Sequence, residues 1–336
     1  MKIFIMGSGS FGIALAVMAQ KLGHGITLWS YSKEEARMLF VNREHQKLLQ
    51  GVKLHEEIAV TNSLEAIPGQ DMVIMATPSF AVRDTAKLLA GHISPKTVVA
   101  CVSKGLEAGS YKTLSDVLED ELPGNKHVMI SGPSHAEEVA IGVPTTVVAA
   151  SSNRQAAQLV QDALTGDTLR IYVSDDVLGV ELGGALKNVI ALAAGILDGL
   201  GGGDNTKAAL MTRGVAEIAR LGVALGAKSE TFAGLSGIGD LIVTCASAHS
   251  RNRRCGILIG KGCEPKKAVE EIGMTVEGYS CAKIAWELAE KHGITMPITE
   301  QVYLVLYEGK NLEQAVRDLM ARPKRHESEA VWLLSR

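Results

Sequence analysis

A glycine-rich turn near the start of the chain constrains the fold more than any other feature of this sequence. Gly7, Gly9 and Gly12 follow the apolar run 1–6 and precede the apolar helical pattern 11–17. The first glycine permits a tight turn, the second lets the backbone approach a pyrophosphate, and the third lets the helix pack closely on the strand. The helix N-terminus offers free N–H groups and a positive dipole end to phosphates. This strand, turn and helix predict a dinucleotide-binding βαβ unit.

The same segment has an alternative interpretation as a secretory signal, because Lys2, an apolar run and the small residues of 14–19 fit that pattern. Against this, the polar and glycine residues 7–10 interrupt the apolar run, and a second strand pattern follows at 25–29. The five cysteines are odd in number and include no Cys-x-x-Cys pair, which indicates neither a disulfide framework nor a zinc site. We therefore expect a cytoplasmic protein.

Composition narrows the class of protein further. A chain of 336 residues has a length that suits two domains. Hydrophobic residues make up 46% and aromatic residues only 4%, which favours α/β and helical packing over an aromatic-rich β-sandwich. The net charge of -3 gives no electrostatic reason to expect nucleic acid or a membrane surface. The most apolar run, 182–203, contains Lys187, Asn188 and Asp198, so it predicts a buried core helix instead of a membrane span.

The first half of the chain alternates short apolar runs with helical patterns. The runs lack polar alternation, as expected of strands buried on both faces of a largely parallel sheet; after the first strand they occupy 25–29, 71–77, 97–102, 127–130, 145–149 and 169–173. From about residue 176 only helical patterns follow, at 181–200, 207–225, 276–292, 298–307 and 312–322. We predict an α/β protein. An N-terminal Rossmann-type doubly wound sheet over 1–178 would bind the dinucleotide, and an all-helical C-terminal domain over 179–336 would carry substrate and catalysis.

Ligands of such sheets bind beyond the carboxyl ends of the strands, which here are followed by the polar or glycine-containing segments 7–12, 30–33, 77–79, 103–105 and 131–134. Lys104 is a cation directly after a buried strand, although a solvated loop lysine is the alternative. The turn 131–136 is rich in small residues, so a ligand could lie against its backbone. His135 in that turn suits acid–base chemistry, but no carboxylate accompanies it in sequence, and a surface or packing role is the alternative.

The end of the second strand bears on the choice of cofactor. An acid about twenty residues past the glycines normally holds the ribose 2′-hydroxyl of NAD. Here no acid follows Trp29 until Glu34, which we assign to the next helix with Ser32 as its N-cap. Without a carboxylate there is no like-charge penalty against a 2′-phosphate, to which Ser30, Ser32 and Lys33 could donate. We expect NADP(H) to be preferred and NAD(H) to be accepted.

The helical half contributes an unusual lysine. Lys187 lies within an apolar helix, where burying an ammonium group is energetically unfavourable unless the charge is paired. Burial also lowers the pKa of a lysine toward the range useful for proton transfer. The alternative is a side chain that extends to water. Asp240, between two apolar runs, could hold the lysine, and the basic segment 250–254 could hold a phosphate. Together these groups fit a phosphorylated carbonyl substrate.

In these motifs the chain resembles the bacterial NAD(P)-dependent glycerol-3-phosphate dehydrogenases. The matching segments cover the whole length in order and are GSGSFG at 7–12, VSKGLE at 102–107, SGPSHAEEV at 131–139, GGALKNVIALAAGILDGL at 183–200, GLSGIGDLIVTC at 234–245, SRNRR at 250–254 and VEGY at 276–279. The resemblance implies that dihydroxyacetone phosphate and sn-glycerol 3-phosphate are interconverted by hydride transfer with NAD(P)H. It also implies a role in supplying glycerol 3-phosphate for phospholipid synthesis.

The resemblance assigns roles to individual residues. It implies that Lys187 is the proton donor and acceptor, and that Asp240 and Lys104 complete the catalytic group. The implied cofactor-binding residues are Gly7, Gly9, Ser10, Phe11, Gly12, Tyr31, Lys104, Ala136, Arg251 and Glu277. The implied substrate-binding residues are Lys104, Gly132, Ser134, Lys187, Asp240, Thr244, Ser250, Arg251 and Asn252. No metal is expected, because the lysine supplies the electrophile.

Two other functions compete with this one. A two-domain dehydrogenase of a non-phosphorylated 2-keto acid could share the glycine turn and a helix-borne lysine, but it would not require 250–252. A catalytically silent nucleotide-binding redox sensor would not need Lys187 and Asp240, which are both present. The chain departs from the family pattern at 30–32, where a basic residue or histidine commonly follows the tryptophan. The resemblance also allows a homodimer, although the sequence itself does not fix the oligomeric state.

Overall fold

An eight-stranded sheet forms the N-terminal half of the protein in the computed structural model, which describes residues 1–324 and Glu327. Its strands are β1 (Lys2–Met6), β2 (Gly25–Trp29), β3 (Ala59–Thr61), β4 (Met72–Met75), β5 (Val98–Cys101), β6 (Lys126–Ser131), β7 (Thr145–Ala150) and β8 (Leu169–Ser174). The sequence predicts all of these except β3. That strand is short and only partly buried, so it lacks the apolar run that marks the others.

The strands follow the spatial order β3-β2-β1-β4-β5-β6-β7-β8, and every neighbouring pair is parallel except β6 with β7. This confirms the prediction of a largely parallel, doubly wound sheet. The chain reverses its winding between β1 and β4, and such a switch point opens a crevice at the carboxyl ends of the strands. The loops that follow β1, β4, β5 and β6 therefore face one region.

Six helices cover the two faces of this sheet: α1 (Ser10–Lys21), α2 (Lys33–Asn42), α3 (Val82–Leu89), α4 (Leu114–Glu121), α5 (Ala136–Ile141) and α6 (Arg154–Leu164). The sheet is apolar on both sides, and all four residues of β4 and of β5 are buried. Along β1, β4 and β5, successive side chains enter two separate apolar cores in alternation, which is why these strands show no polar alternation.

Beyond Ser174 the described residues form helices and no strand, which confirms the helical C-terminal half. The helices are α7 (Val177–Gly199), α8 (Asp204–Ala224), α9 (Asp240–Ala246), α10 (Arg251–Gly260), α11 (Pro265–Ile272), α12 (Glu277–His292), α13 (Pro297–Tyr307) and α14 (Leu312–Met320). The helical patterns predict five of them, and α9, α10 and α11 were not predicted. The domain division at residue 178 stays a prediction, and most of 325–336 lies outside the described residues.

Helix α7 is the centre of the helical half. Among the described residues it is the one helix long and apolar enough to cross a membrane, but 94% of its most apolar window is buried inside the protein. Its neighbours α8, α9, α10 and α12 surround it, and a helix that is apolar on all sides needs such a cover. The prediction of a buried core helix over this segment is confirmed.

Helices α7 and α10 cross at very short range. A Cβ atom placed on Gly195 would lie 2.0 Å from the Arg253 carbonyl oxygen, and one on Gly256 would lie 2.1 Å from the Leu192 carbonyl oxygen. Any side chain at either position would separate the helices. This close crossing carries the first turn of α10 toward the middle of α7, where Lys187 lies.

Candidate active site

Two lysines and one aspartate form a buried cluster where the sheet meets the helices. Lys187 Nζ donates to Asp240 Oδ1 at 2.6 Å, and Lys104 Nζ donates to Asp240 Oδ2 at 2.6 Å. Lys187 Nζ also donates to Thr244 Oγ1 at 2.6 Å, while Lys104 Nζ donates to the Gly132 carbonyl oxygen at 2.8 Å. Each carboxylate oxygen of Asp240 therefore accepts from one ammonium group.

The cluster joins three separate parts of the chain. Lys104 follows β5 at the carboxyl edge of the sheet, and Lys187 lies in the middle of α7. Asp240 begins α9 directly after a π-helical turn, Leu235–Gly239. Such turns are frequent at functional sites. The Thr244 hydroxyl, one turn further along α9, donates to the Asp240 carbonyl oxygen at 2.6 Å. That bond orients the hydroxyl oxygen as an acceptor toward Lys187.

Burial controls the charges in this cluster. The side chain of Lys187 is 7% exposed and that of Asp240 is 2% exposed. Burial lowers the pKa of Lys187 to about 8, although the nearby Asp240 carboxylate opposes that change. Burial alone would raise the pKa of Asp240, but the ammonium groups of Lys104 and Lys187 outweigh it and hold that pKa below its ordinary value. A lysine with a pKa near neutrality can exchange a proton with a bound substrate.

The basic segment forms a second polar region beside the cluster. Ser250 caps α10, since its Oγ accepts from the Arg253 N–H at 3.2 Å, and Arg251 is the first residue of the helix. Asn252 Nδ2 donates to Asn188 Oδ1 at 2.9 Å, and Asn252 Oδ1 accepts from the Gly278 N–H at 2.8 Å. One N–H of Asn252 therefore remains for a ligand. A helix N-terminus with an arginine is a favourable place for an anion.

The glycine turn lies across the crevice from these groups. Gly7 has a φ of +124°, and a Cβ atom on Gly12 would lie 1.9 Å from the Gly7 carbonyl oxygen, so both positions need glycine. A Cβ atom on Gly9, in contrast, would meet nothing within 4 Å. Gly9 is the N-cap of α1 and provides no side-chain cap to the helix. Open space beside an uncapped helix N-terminus fits the pyrophosphate of a dinucleotide.

One cavity of about 430 Å³ connects the turn, the cluster and the basic segment. Thirteen of the predicted site residues line it: Gly9, Ser10, Phe11, Lys104, Ser134, Ala136, Lys187, Asp240, Thr244, Ser250, Arg251, Asn252 and Glu277. Gly7 and Gly12 lie behind the turn and shape it, and Gly132 supplies the carbonyl that accepts from Lys104. Tyr31 lies apart from the cavity lining: it is 83% exposed and contacts Trp29 edge-on.

Comparisons with known proteins agree with this geometry. Residues 2–157 match the N-terminal part, and residues 176–317 the C-terminal part, of the NAD-dependent glycerol-3-phosphate dehydrogenases. This chain belongs to the NAD-dependent glycerol-3-phosphate dehydrogenase family.

Individual members of the family are similar over nearly their whole length. The glycerol-3-phosphate dehydrogenase [NAD(P)+] of Desulfitobacterium hafniense is 49% identical, covering 99% of this chain and 95% of its own. That of Moorella thermoacetica is 52% identical over 98% of each chain. The crystal structure of glycerol-3-phosphate dehydrogenase from Coxiella burnetii superposes with a TM-score of 0.92 at 39% identity, covering 96% of this chain and 99% of that one.

Within this family fold, a carboxylate connects the two halves of the chain. Glu277, the first residue of α12, accepts from the Ser79 N–H at 3.0 Å and from Ser79 Oγ at 2.5 Å. Burial raises the pKa of Glu277, although the two bonds from Ser79 oppose the change. Sequence reasoning did not assign a role to Ser79. It belongs to the segment 77–79 after β4, so its position at a strand end was the available signal.

Asn188 and His135 also line the cavity. Asn188 holds Asn252, and no sequence feature beyond its place next to Lys187 pointed to it. His135 Nε2 is buried, and among the described residues no group bonds to it. Burial lowers the pKa of His135, and the positive charge of Lys187 acts in the same direction. A neutral imidazole therefore faces the cluster.

The structure shows a carboxylate at the β2–α2 corner to which no sequence feature pointed. Ser32 is the N-cap of α2, as predicted, but its hydroxyl donates to Glu34 Oε2 at 2.9 Å and accepts from the Glu35 N–H at 3.2 Å. Ser30 is buried, and Lys33 is exposed. Glu35 reaches back from the first turn of α2, and its Oε1 accepts from Ser8 Oγ of the glycine turn at 2.9 Å. From the sequence, only the residues before Glu34 were considered, and Glu35 was assigned no role.

Proposed function

We propose that this chain interconverts dihydroxyacetone phosphate and sn-glycerol 3-phosphate with NADP(H) or NAD(H). The observation that carries this proposal is the buried cluster of Lys187, Asp240 and Lys104, which combines a proton donor with a net positive charge beside the dinucleotide turn. The curated relatives carry the name glycerol-3-phosphate dehydrogenase [NAD(P)+], which supports the same reaction. In that role the protein supplies glycerol 3-phosphate for phospholipid synthesis.

The cofactor would be held by the glycine turn and by groups from the helical half. Gly9 and the free N–H groups that begin α1 suit the pyrophosphate. Ser10, Phe11, Ala136, Arg251 and Glu277 would complete the cofactor site, all of them in the cavity wall. When bound, the reduced nicotinamide supplies a hydride to the substrate carbonyl carbon.

Lys187 would provide the proton that the reduction requires. As the carbonyl becomes an alcohol, negative charge develops on its oxygen, and an ammonium group beside it stabilises and then protonates that oxygen. Catalysis of this type typically contributes about 10²–10⁴-fold. The proton leaves Lys187 as the new O–H bond forms, and the resulting neutral amine recovers a proton from solvent. In the reverse direction the neutral amine accepts the alcohol proton.

Asp240 and Lys104 would position Lys187 and set the net charge of the site. Asp240 binds both lysines, so it fixes Lys187 Nζ and prevents the two ammonium groups from repelling one another. One carboxylate between two ammonium groups leaves a single net positive charge, which favours an anionic substrate and the developing oxyanion. Thr244 accepts from Lys187 and so directs the remaining N–H bonds of that group.

The phosphate of the substrate would lie at the first turn of α10. Ser250, Arg251 and the free N–H of Asn252 are the donors there. Ser134 lines the same cavity, and its hydroxyl donates to the Gly132 carbonyl oxygen at 2.9 Å. Binding energy from a phosphate that does not react can orient the carbonyl toward Lys187. A substrate without phosphate would lose this energy, which separates the proposed reaction from reduction of a simple 2-keto acid.

The test is the loss of reduced-nicotinamide absorbance with dihydroxyacetone phosphate, measured in parallel with NADPH and NADH. We expect oxidation of both nucleotides that depends on dihydroxyacetone phosphate, and much slower oxidation with unphosphorylated dihydroxyacetone. Turnover of a 2-keto acid without turnover of dihydroxyacetone phosphate would identify the competing dehydrogenase. Binding of both nucleotides with no oxidation would identify a sensor.

Arg251→Ala should raise the KM for dihydroxyacetone phosphate, because a charge-assisted hydrogen bond contributes about 1.5–3 kcal/mol, or roughly ten- to hundredfold. With the nucleotide at saturating concentration, turnover of dihydroxyacetone should change much less. Arg154→Ala is the matched control, since Arg154 also begins a helix behind a capping side chain but lies away from the cavity. Equal KM values for the two variants would move the phosphate site elsewhere.

We also propose residues 1–178 as the dinucleotide-binding domain and 179–336 as the helical substrate domain, on the ground that the last strand ends at Ser174. A cytoplasmic location is supported by five cysteines that are all free. A homodimer stays a prediction, which light scattering on the purified chain tests directly.

A further inference from the structure

A carboxylate is held against the glycine turn. Glu35 lies in the first turn of α2, and Ser8 Oγ donates to Glu35 Oε1 at 2.9 Å. Ser8 stands between Gly7 and Gly9 and is only 5% exposed, so this contact lies within the turn itself. A negative charge is thus fixed beside the segment that suits the cofactor pyrophosphate.

His45 holds the same carboxylate from the other side. Its Nδ1 accepts from the N–H groups of Lys47 and Leu48 at 3.2 and 2.9 Å, which places the ring proton on Nε2. Nε2 lies 3.2 Å from Glu35 Oε1 and donates to it. Leu48, three residues on from His45, lines the main cavity. The carboxylate is therefore immobilised at the cavity edge and not free in solvent.

The second carboxylate oxygen of Glu35, Oε2, remains available to a ligand. Among the described residues, no hydrogen bond reaches Glu35 Oε2, and the side chain is 30% exposed. By contrast, the neighbouring Glu34 turns toward Ser32 and solvent. Of these two acids, only Glu35 contacts the glycine turn.

In dinucleotide-binding folds of this topology, the adenosine ribose lies at the corner between the glycine turn and the end of β2. An acid there hydrogen-bonds the 2′-hydroxyl of NAD. The same negative charge repels a 2′-phosphate, because like charges at short range are unfavourable. The exposed Lys33 at this corner acts in the opposite direction.

We propose that Glu35 is a specificity-determining residue for the cofactor: its carboxylate favours the 2′-hydroxyl of NAD(H) and opposes the 2′-phosphate of NADP(H). This inference rests on the cofactor class of the proposed function. Glu35 limits the advantage that the exposed Lys33 gives to NADP(H), and so keeps NAD(H) usable.

The decisive variant is Glu35→Gln, which removes the charge while its amide oxygen still accepts from Ser8 and His45. The ratio of kcat/KM for NADPH to that for NADH should rise about tenfold, the equivalent of about 1.4 kcal/mol. Glu34→Gln removes an equal charge one residue away and should change the ratio less than about twofold, as expected for an exposed charge. The rise should shrink as salt is added, because dissolved ions weaken the repulsion between partly exposed charges.

A binding measurement separates this inference from the proposed reaction. Calorimetry with adenosine 2′,5′-bisphosphate and with 5′-AMP requires neither nicotinamide nor substrate. Glu35→Gln should tighten binding of the bisphosphate about tenfold and should not tighten binding of 5′-AMP, whose 2′-hydroxyl loses the carboxylate acceptor. If the wild-type chain fails to reduce dihydroxyacetone phosphate, the proposed function fails while these affinities still test Glu35. The assignment would be overturned if Glu35→Gln changed neither the kcat/KM ratio nor the relative affinity for the two adenosine phosphates. It would also be overturned if Glu34→Gln shifted these quantities equally. Both variants are compared only if their thermal unfolding matches that of the wild type.

Discussion

The glycine turn and the lysine–aspartate cluster are built in opposite ways, although they face one cavity. The turn consists of neighbouring residues, 7–12, and it works through backbone shape and backbone N–H groups. The cluster consists of side chains, and its members are far apart in sequence: Lys104 is 136 residues from Asp240, and Lys187 is 53 residues from it. The space around each Cβ position decides which residues the turn accepts, whereas the balance of charge decides which residues the cluster accepts.

This difference predicts different responses to substitution. A change in the turn should act on stability or on cofactor binding according to where a new Cβ atom points. A change in the cluster should act on catalysis and on the electrostatic stability of the buried charges, with little effect on nucleotide binding.

Lys187→Ala should lower kcat for reduction of dihydroxyacetone phosphate by more than about a hundredfold, because the proton donor is lost. The Kd for NADPH, measured by nucleotide fluorescence, should stay nearly constant. Lys228→Ala is the control, because that lysine pairs with an aspartate on the exposed surface. Unchanged turnover in Lys187→Ala would remove Lys187 from the reaction.

Asp240→Asn should leave two buried ammonium groups without a carboxylate and reduce the free energy of unfolding by about 3–5 kcal/mol. The loss should be smaller at pH 9 than at pH 7, since a Lys187 with a pKa of about 8 can then become neutral. Urea unfolding at both pH values measures the effect.

Asp120→Asn provides the matched comparison. Asp120 also pairs with two cations, Arg83 and Lys112, but its side chain is 36% exposed. Its loss should therefore destabilise the protein much less than the loss of Asp240 does, because exposed ion pairs contribute little. Equal losses for the two aspartates would mean that burial does not set the strength of the cluster.

Gly12→Ala and Gly9→Ala should separate two functions within the turn. A Cβ atom on Gly12 would lie 1.9 Å from the Gly7 carbonyl oxygen, so this substitution should lower the free energy of unfolding by about 1–3 kcal/mol. At Gly9 the Cβ atom has open space, so the protein should stay as stable as the wild type while NADPH binds more weakly. If both variants lost only stability, the space beside Gly9 would not be a phosphate site.

The pH dependence of the reaction should follow Lys187. Reduction needs the ammonium form, so its kcat should fall about tenfold per pH unit above a pKa of about 8. Oxidation of glycerol 3-phosphate needs the neutral amine, so its kcat should rise through the same range and then level off. Stopped-flow rates in both directions between pH 6 and 10 provide the measurement, and a flat reduction profile would contradict the role of Lys187.

The sequence alone predicts much of the protein because many of its signals are local. A strand buried on both faces must be apolar throughout, so seven of eight strands were found, and only the short, partly buried β3 was missed. Helix α10 was missed because its basic segment, 250–254, looked like a ligand-binding cluster. The segment is both a helix and part of the cavity wall, since the first turn of α10 lines the cavity.

The site was predicted as a set of residues but not as a geometry. Lys187 was singled out because a charge in an apolar helix needs a partner, and Asp240 because an acid stood between apolar runs. That both oxygens of Asp240 are shared with two lysines follows only from the packing of α7 and α9 at the edge of the sheet. The Ser79–Glu277 bond likewise joins residues 198 apart in sequence.

Glu35 shows most clearly the difference between what the sequence reveals and what tertiary structure adds. The doubly wound sheet, the helical second half and the glycine turn could be read from the sequence, because hydrophobic period and glycine spacing are properties of contiguous chain. Thirteen of the cavity residues were expected from sequence motifs and from the family resemblance. Tertiary structure alone decided which oxygen meets which ammonium, how closely α7 and α10 cross, and that Glu35 reaches Ser8. These depend on distances between side chains from separate elements, and such distances are fixed only when the elements pack.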